Sequence, residues 1–573
     1  MPLDNLVIAR VLGEIGDLLE IKGENPFKIR AYRNAASLAA HSAEALGSLD
    51  EKALRALPGI GKDLAARIGE IAATGTCQVL ADLAAEFPPG LLDLMRLQGV
   101  GPKTVALLYR ELRIGSPDDL EAAIKAGRLR GLRGFGPKKE QLLLTAIAER
   151  RQNAGRHLLA DAAEVAADLV AWLHDASPAL ECIPVGSVRR GVETCGDIDI
   201  LAVGGDQSVM ERFVAHRRVD RVLGRGDTKA SVLLTGGFQA DLRLVAAESR
   251  GAALQYFTGS KAHNIALRDL ALERGLRLNE YGLYRARDDV RLAGETEEGL
   301  YEALGLAWVP PELRENRGEI EAARDRTLPA LVERRHLRGD VHMHTTETDG
   351  KDTLEDMVAA ARAAGLEYVA ITDHSKALTM ANGLDEERVA EFAARIRALD
   401  KATRGLRVLA GIECDILPDG RLDLADDCLA GLDLVIASVH SALSQDEAQM
   451  TARLVKAIEH PHVDILGHPT GRLLRRRDAS RLDIERVIAA AAANRVALEI
   501  NSQVDRLDLS DAHARLARDR GVKIVISSDA HARQALGLTA WGVIVARRAW
   551  LEPDDVLNTL PVGRFLSSLR RAR

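Results

Sequence analysis

The chain has 573 residues, 47% of them apolar and 28% charged, with a formal net charge of -7. That length implies three to five domains, and the composition and acidic balance exclude a fibrous or disordered chain and nucleic-acid binding by bulk charge, though not by local basic surfaces. No run reaches the roughly 18 apolar residues of a membrane span, the N-terminus has no basic signal region, and the five cysteines lie apart without CxxC, so a cytoplasmic monomer with no membrane partner is expected.

Residues 1–150 read as short amphipathic helices broken by Gly and Pro. A pattern recurs three times: LPGIGKD (57–63), LQGVGPK (97–103) and LRGFGPK (132–138), each followed by a helical stretch. The paired glycines (Gly59 and Gly61, Gly99 and Gly101, Gly134 and Gly136) allow a tight turn between helices. They also present successive N–H groups at the start of the second helix, where a phosphate can sit. Lys62, Lys103, Lys138 and Lys139 follow these glycines. One copy alone would equally be an ordinary Gly-capped turn. Three copies with their lysines resemble the helix-hairpin-helix motif, which grips a nucleic-acid backbone without reading sequence.

A long helix is expected over 151–175, and strand-like runs begin at Ile183. In PVGSVRRGVETCGDIDILAV (184–203), Asp197 and Asp199 stand one residue apart at the start of an apolar strand, so both face one side. Carboxylates held together repel unless divalent cations neutralise them. Asp241, in FQADLRLV, sits in a second strand-like run and can complete the set. Upstream, Gly186 and Ser187 offer backbone donors and a hydroxyl, with Arg189 and Arg190 beside them. That combination suits a triphosphate whose oxygens share cations with the acids.

The segments GSVRRG, GDIDIL, ADLRL, YFTGSKAHN and LNEYG together resemble the family X DNA polymerases, the group containing DNA polymerase beta, over roughly residues 1–318. The resemblance implies two Mg²⁺ or Mn²⁺ ions on Asp197, Asp199 and Asp241, with Asp241 near the primer 3′-hydroxyl. It implies that Gly186, Ser187 and Arg190 contact the incoming dNTP, as does Arg156, which stands 30 residues before Gly186. Tyr256, Phe257 and Gly259 match the sugar-selecting turn, and Asn264 and Arg268 match contacts to the nascent base pair and template. Lys28 and Tyr32 match a pocket for the 5′-phosphate of a gap. Two positions depart. Arg67 stands at the Schiff-base lysine's position, and a guanidinium cannot act as the amine nucleophile. Asp63 stands where another phosphate-binding lysine belongs, with Lys62 next door. The resemblance thus carries gap binding without lyase chemistry.

Ten of the 15 histidines lie after residue 335. The charged stretch 310–338 opens with two prolines and lacks a clear apolar stripe, so it reads as a linker, centred on 319–337. Beyond it, apolar runs (YVAIT, LRVLAGIE, LDLVIASVH, VDILGHP, VALEINS, VKIVISSD) alternate with Ala-rich helices. This predicts a parallel α/β sheet or barrel with its chemistry at the C-terminal strand ends. His342 and His344 alternate on a short strand; Asp349, His374, Glu413, His440, His468, Asp529 and His531 follow or end such runs. Nine imidazole and carboxylate ligands exceed what one tetrahedral ion uses and suit Zn²⁺ or Mn²⁺. The arrangement resembles the PHP (polymerase and histidinol phosphatase) domain over roughly residues 338–573. That implies a distorted (β/α)₇ barrel, two to three ions with Glu413 bridging two, and phosphoester hydrolysis.

The predicted fold class is multidomain: all-α helix-hairpin-helix domains at 1–85 and 86–150, an α/β nucleotidyltransferase palm at 151–250, a nascent-base-pair domain at 251–318, the linker at 319–337 and the barrel at 338–573. The expected function is filling short gaps in gapped or primed DNA during repair. The barrel would add a manganese-dependent 3′–5′ exonuclease, 3′-phosphatase or abasic endonuclease activity. The alternatives are a DNA-binding nuclease with its polymerase half as a scaffold, and a small-molecule phosphatase of the histidinol phosphate type.

Overall fold

The computed structural model describes residues 5–570 apart from 42–45, 58, 89, 96, 98–99, 133–134, 138, 145–146 and 148–154. Gly99, Gly134 and Lys138 lie outside the described residues. The N-terminal helix Asn5–Lys22 packs on Pro26–His41, Lys62–Thr74 and Gln78–Ala85 around Ile8, Leu12, Ile15, Leu19 and Ile68. A second helical core forms around Leu94, Val105, Leu108, Leu120 and Ile124. Ile21 of the first helix enters this second core and Phe87 packs against both, so the two bodies share apolar contacts.

The described residues of the three glycine repeats share one hydrogen-bond pattern. Ile60 N donates to Leu57 O, Val100 N to Leu97 O and Phe135 N to Leu132 O, at 3.1–3.2 Å. In each, the last glycine then accepts from the amide four residues on: Ala65 N to Gly61 O, Val105 N to Gly101 O and Glu140 N to Gly136 O. Gly61 and Gly101 are the extended N-cap residues of Lys62–Thr74 and Pro102–Leu112, and neither cap has a side chain to occupy the free N–H groups.

A five-stranded sheet follows, in spatial order Glu181–Pro184, Asp197–Val203, Gln239–Val245, Lys229–Leu234 and Val219–Arg225. Its second and third strands are parallel and its other pairs antiparallel. Strand alternation gives it two unlike faces. Ile198, Ile200, Ala202, Ala240 and Leu242 pack with the helix Leu159–Ala176, which starts later than the sequence suggests. Leu201 and Val203 pack with Ala253 and Leu254 of the helix Arg250–Thr258. The next body, with the helices Lys261–Glu273 and Glu297–Ala303, closes over a small three-stranded sheet.

The stretch expected as a linker is not an exposed tether. It holds the helix Glu319–Asp325, with Glu319 and Ala323 buried. Ala323 and Leu331 join the preceding core, and Val332 joins the following one. No apolar stripe shows in the sequence because these residues serve two cores in succession.

The C-terminal body has seven parallel strands whose spatial order is their chain order: Gly339–Asp340, Tyr368–Ile371, Arg407–Asp415, Leu434–Ser438, Ile465–Leu466, Ala497–Asn501 and Ile524–Ser527. Both faces are buried, which explains the near-continuous apolar runs. The strand expected at His342 and His344 is regular only at Gly339–Asp340. A single parallel bridge, Met343 to Ala530, then closes the ring, with His344 N donating to Ala530 O at 2.9 Å. At the opposite end Phe565 stacks on Tyr368 at 5.1 Å between ring centres.

Candidate active sites

The palm sheet brings three acids together. Asp199 pairs with Asp241 across the parallel strands, and Asp197 pairs with Gln239. Apolar residues pack on their side of the sheet from Leu201 onward, and the Gly186 turn closes on Asp199, which leaves Asp197 exposed at the strand's start. Burial first, then the charges of Asp197 and Asp241, push Asp199 up to about 7. Burial also opposes the charge on Asp241, but Lys229, Ser231 and Gln239 hold it below the ordinary range. Lys229 Nζ lies 2.8 Å from Asp241. A carboxylate set that cannot ionise cheaply by itself fits divalent cations, whose charge would relieve the repulsion.

Beside the acids lies an open pocket of about 830 Å³. It is lined by Arg156, Gly186, Ser187, Arg190, Tyr256, Phe257, Gly259, Asn264 and Arg268, together with Asp197 and Asp199. Nine positions expected to hold a nucleotide thus converge from four segments of the chain. Gly186 has φ +61°, and a Cβ there would stand 2.5 Å from Asp199 Oδ2, so only glycine lets the loop approach the acids. Arg156 Nε donates to Thr194 Oγ1 at 2.9 Å. Arg190 donates to Thr258 O at 2.5 Å and to Glu315 at 3.1 Å. Asn264 donates to Tyr256 O and accepts from Gln255, both at 2.7 Å, which ties it to the turn it follows. Lys261 and Gln239 also line the pocket and were not anticipated. Lys261 could have been noticed as the cation immediately after the Gly259–Ser260 turn.

In the small helical body Tyr32 is buried, and exposed Lys28 pairs with Glu24 at 2.9 Å. Arg67 pairs with Glu70 at 3.1 Å, so the Schiff-base position carries a guanidinium committed to a carboxylate. Lys62 and Lys103 are exposed at their helix starts, and Lys139 lies 4.4 Å over the Phe135 ring.

The barrel gathers all nine of its expected ligands at the C-terminal strand ends. Asp349 lies 4.0, 3.5 and 3.4 Å from His344, His374 and His531. His342 Nε2 lies 3.5 Å from Glu413 and 3.6 Å from Asp529. Glu413 also meets His374 at 2.8 Å, His468 at 2.9 Å and His440 at 3.4 Å. Three sets of ligand atoms each converge within 4.8 Å: His344, Asp349, His374 and His531; His342, His344 and Asp529; and His374, Glu413 and His440. The buried nitrogens His342 Nε2, His344 Nδ1 and His374 Nδ1 have no hydrogen-bond partner. Unpaired imidazole nitrogens aimed at carboxylates fit metal ions.

The charge pattern agrees. Burial opposes the charge on Glu413, yet His440, His342 and His374 hold it well below the usual carboxylate range. Burial also disfavours charge on His342, and Glu499, Asp529 and Glu413 outweigh it and raise that imidazole well above its ordinary value. Burial and the neighbouring His531 and His374 push His344 down to about 3 and keep it neutral, whereas His342 would give up its proton to a metal ion that took over the balancing of these carboxylates.

Two acids behind the ligands escaped sequence reasoning. Glu499 is fully buried; it accepts from His342 Nδ1 at 2.7 Å and from His468 N at 2.6 Å. Asp415 lies 3.3 Å from His440 Nδ1. Each fixes which nitrogen of its histidine faces the site. The signal was an acid inside an apolar strand, VALEINS, and one two residues after Glu413. Asp373 accepts from Thr345 N and Thr345 Oγ1 at 2.9 Å and anchors the loop after His344.

Comparison with known proteins agrees in order and extent. Family models match for a helix-hairpin-helix domain (residues 3–77), a SAM-like helix-hairpin-helix tandem (91–149), the DNA polymerase beta palm (160–232), the DNA polymerase beta thumb (253–315) and a PHP domain (340–503). The DNA polymerase/3′-5′ exonuclease PolX of Bacillus subtilis (strain 168) is 39% identical over 567 residues, 98% of this chain and 99% of that protein. Shorter relatives include a probable phosphatase of Thermoanaerobacter sp. (strain X514), 31% identical over 41% of this chain and 95% of its own length. A probable phosphatase of Shewanella sediminis is 32% identical over 39% and 89%. With every module in the same order and the likeness running from end to end, the chain belongs to the bacterial PolX family, family X DNA polymerases that carry a C-terminal PHP domain.

Proposed function

We propose that the chain works as a cytoplasmic monomer that fills short gaps in DNA during repair and trims 3′ ends with its barrel domain. The observation that carries the polymerase half is the single pocket where Arg156, Ser187, Arg190 and the Tyr256–Gly259 turn meet Asp197 and Asp199. Two Mg²⁺ or Mn²⁺ ions on Asp197, Asp199 and Asp241 would lower the pKa of the primer 3′-hydroxyl and steady the departing pyrophosphate.

The chain's own groups do the positioning. The Gly186 turn and Ser187 receive the triphosphate, and Arg190 and Arg156 neutralise it. Asp241, held by Lys229 and Gln239, faces the primer end. Backbone at Phe257 to Gly259 lies under the sugar and excludes a 2′-hydroxyl, while Asn264 and Arg268 meet the nascent base pair. The glycine turns at 57–61, 97–101 and 132–136 hold phosphates on either side of the gap.

In the barrel, two to three Mn²⁺ or Zn²⁺ ions would activate water and stabilise the leaving oxygen of a phosphoester. Glu499 and Asp415 orient His342 and His440, and the ring closure at Met343 and Ala530 sets the spacing of the first and last ligands. The match to probable phosphatases favours terminal 3′-phosphates as a second substrate of this site. The test is incubation of the protein with 5′-labelled gapped DNA, with and without dNTPs, in Mg²⁺ and in Mn²⁺. Extension with dNTPs and manganese-favoured shortening without them are expected. Absence of extension would leave the palm a scaffold.

A further inference from the structure

The barrel domain touches the polymerase's phosphate loop directly. The helix Thr539–Arg548 buries Val543, Val545 and Ala546 in the barrel core and turns Trp541 and Ile544 onto the palm core. Ile544 abuts Gly191, the residue after Arg190; Gly191 has φ +66°, and any Cβ there would overlap the Ile544 methyl. At the helix end Arg548, only 7% exposed, reaches three partners outside its own helix. It donates to Arg190 O at 2.8 Å and to Glu315 Oε1 at 3.0 Å, and it pairs with Asp511 at 3.1 Å. The same Glu315 oxygen accepts from Arg190 Nε at 3.1 Å. Arg548 of the barrel therefore holds Arg190 directly at its backbone carbonyl and, through the shared Glu315 oxygen, at its guanidinium.

The geometry points to Arg548 as a positioning residue for nucleotide binding, through which the barrel presets the triphosphate grip of the palm. This inference rests on the polymerase reading above. A planar guanidinium spreads its donors over separate nitrogens in a fixed fork and so spans a carbonyl and two carboxylates, whereas an ammonium gathers its three donors on one atom and reaches them less well. Without it, Glu315 loses one of two cations, and the Ser187–Gly191 turn must be ordered by the substrate. That ordering cost falls on binding of the nucleotide and leaves the chemical step largely intact.

The experiment measures dNTP KM and kcat on gapped DNA, and 3′-end degradation in Mn²⁺, for the parent chain and the variants Arg548→Met, Arg548→Lys and Arg547→Met. Arg547 joins the barrel to the body after the palm by donating to Glu312 at 2.6 Å, and among the described residues its hydrogen bonds go to Glu312 and Val332 O, not to the phosphate loop. Arg548→Met should raise dNTP KM by about tenfold, with kcat within about threefold and degradation unchanged. Arg548→Lys should give a smaller rise, and Arg547→Met should keep the parent KM. A parent KM in Arg548→Met overturns the inference, as does an equal rise in Arg547→Met, which would make any loosening of the joint sufficient. Joint loss of extension and degradation in an Arg548→Met protein that circular dichroism shows to be folded would also overturn it. If Arg548→Met fails to fold, Arg548→Lys decides: a raised KM supports the inference and the parent KM overturns it. A parent chain that extends no primer would instead sink the polymerase reading.

Discussion

The palm site and the barrel site solve opposite problems. The palm holds three carboxylates near the start of two strands, with Lys229 as the nearest cation, and one of them, Asp199, resists ionisation. The barrel holds nine ligands drawn from most of its strands, largely buried, with imidazoles set against carboxylates so that Glu413 ionises readily. The palm set stands beside the substrate pocket with Asp197 exposed and Asp199 and Asp241 half-buried. The barrel set is placed by a closed ring of strands, which determines where each of its residues stands.

The sharpest way to break this comparison is to disable each site in turn. Asp197→Ala or Asp199→Ala should abolish primer extension and spare 3′-end degradation. His342→Ala with His344→Ala should abolish degradation and lower bound transition metal, with gap filling retained. Gel assays and metal analysis of the same preparations check both; loss of both activities from either change would show that the sites are not independent.

A smaller effect tests how the barrel ligands are held. Glu499→Gln keeps the shape but weakens the acceptor for His342 Nδ1, so metal affinity should fall about 10–100-fold with extension unaltered. Metal titration that finds the parent affinity would remove Glu499 from the site's support.

Charge also joins the palm to the body that follows it. Glu297 on the neighbouring body accepts from Arg189 of the palm at 2.6 and 2.9 Å and from Arg314 at 2.7 Å. Burial opposes its charge, but these guanidiniums hold Glu297 at about 2. Its folded pKa is thus depressed, so its stabilisation is present above about 4.5 and lost as pH falls toward about 2. Glu297→Gln should destabilise the polymerase half by about 3 kcal/mol near neutrality. Urea unfolding at pH 7 and pH 3.5 should find the gap between parent and variant narrowed at the lower pH; an undiminished gap would contradict the ion-pair account.

The smallest expected effect concerns the glycine turns. Lys103→Ala should weaken DNA binding alike for all sequences and reduce the salt slope by about one. A sequence-dependent loss in fluorescence anisotropy would mean that Lys103 reaches base edges.

Much of both sites was legible because their chemistry is local in the chain. Asp197 and Asp199 two residues apart, glycine beside Ser187, and histidines closing apolar runs each state a geometry through strand alternation or strand polarity. The repeat LxGxG was legible for the same reason: three turns with one hydrogen-bond pattern need the same residues at the same offsets. Glu499 was not, since an acid in an apolar strand states no partner until His342 is brought to it from 157 residues away.

The acids of the palm and the nine His, Asp and Glu residues that meet at the barrel's strand ends could be picked out in the sequence, because they rest on residue type and short spacing; the expectation for Arg67 came from the family resemblance instead. The tertiary structure alone decided that residues 319–337 pack in turn against two cores, that one bridge at Met343 closes the barrel, and that Arg548 holds Arg190 across a domain boundary. Those contacts join residues tens to hundreds of positions apart, and a side chain's partner at that separation is set by how whole domains pack.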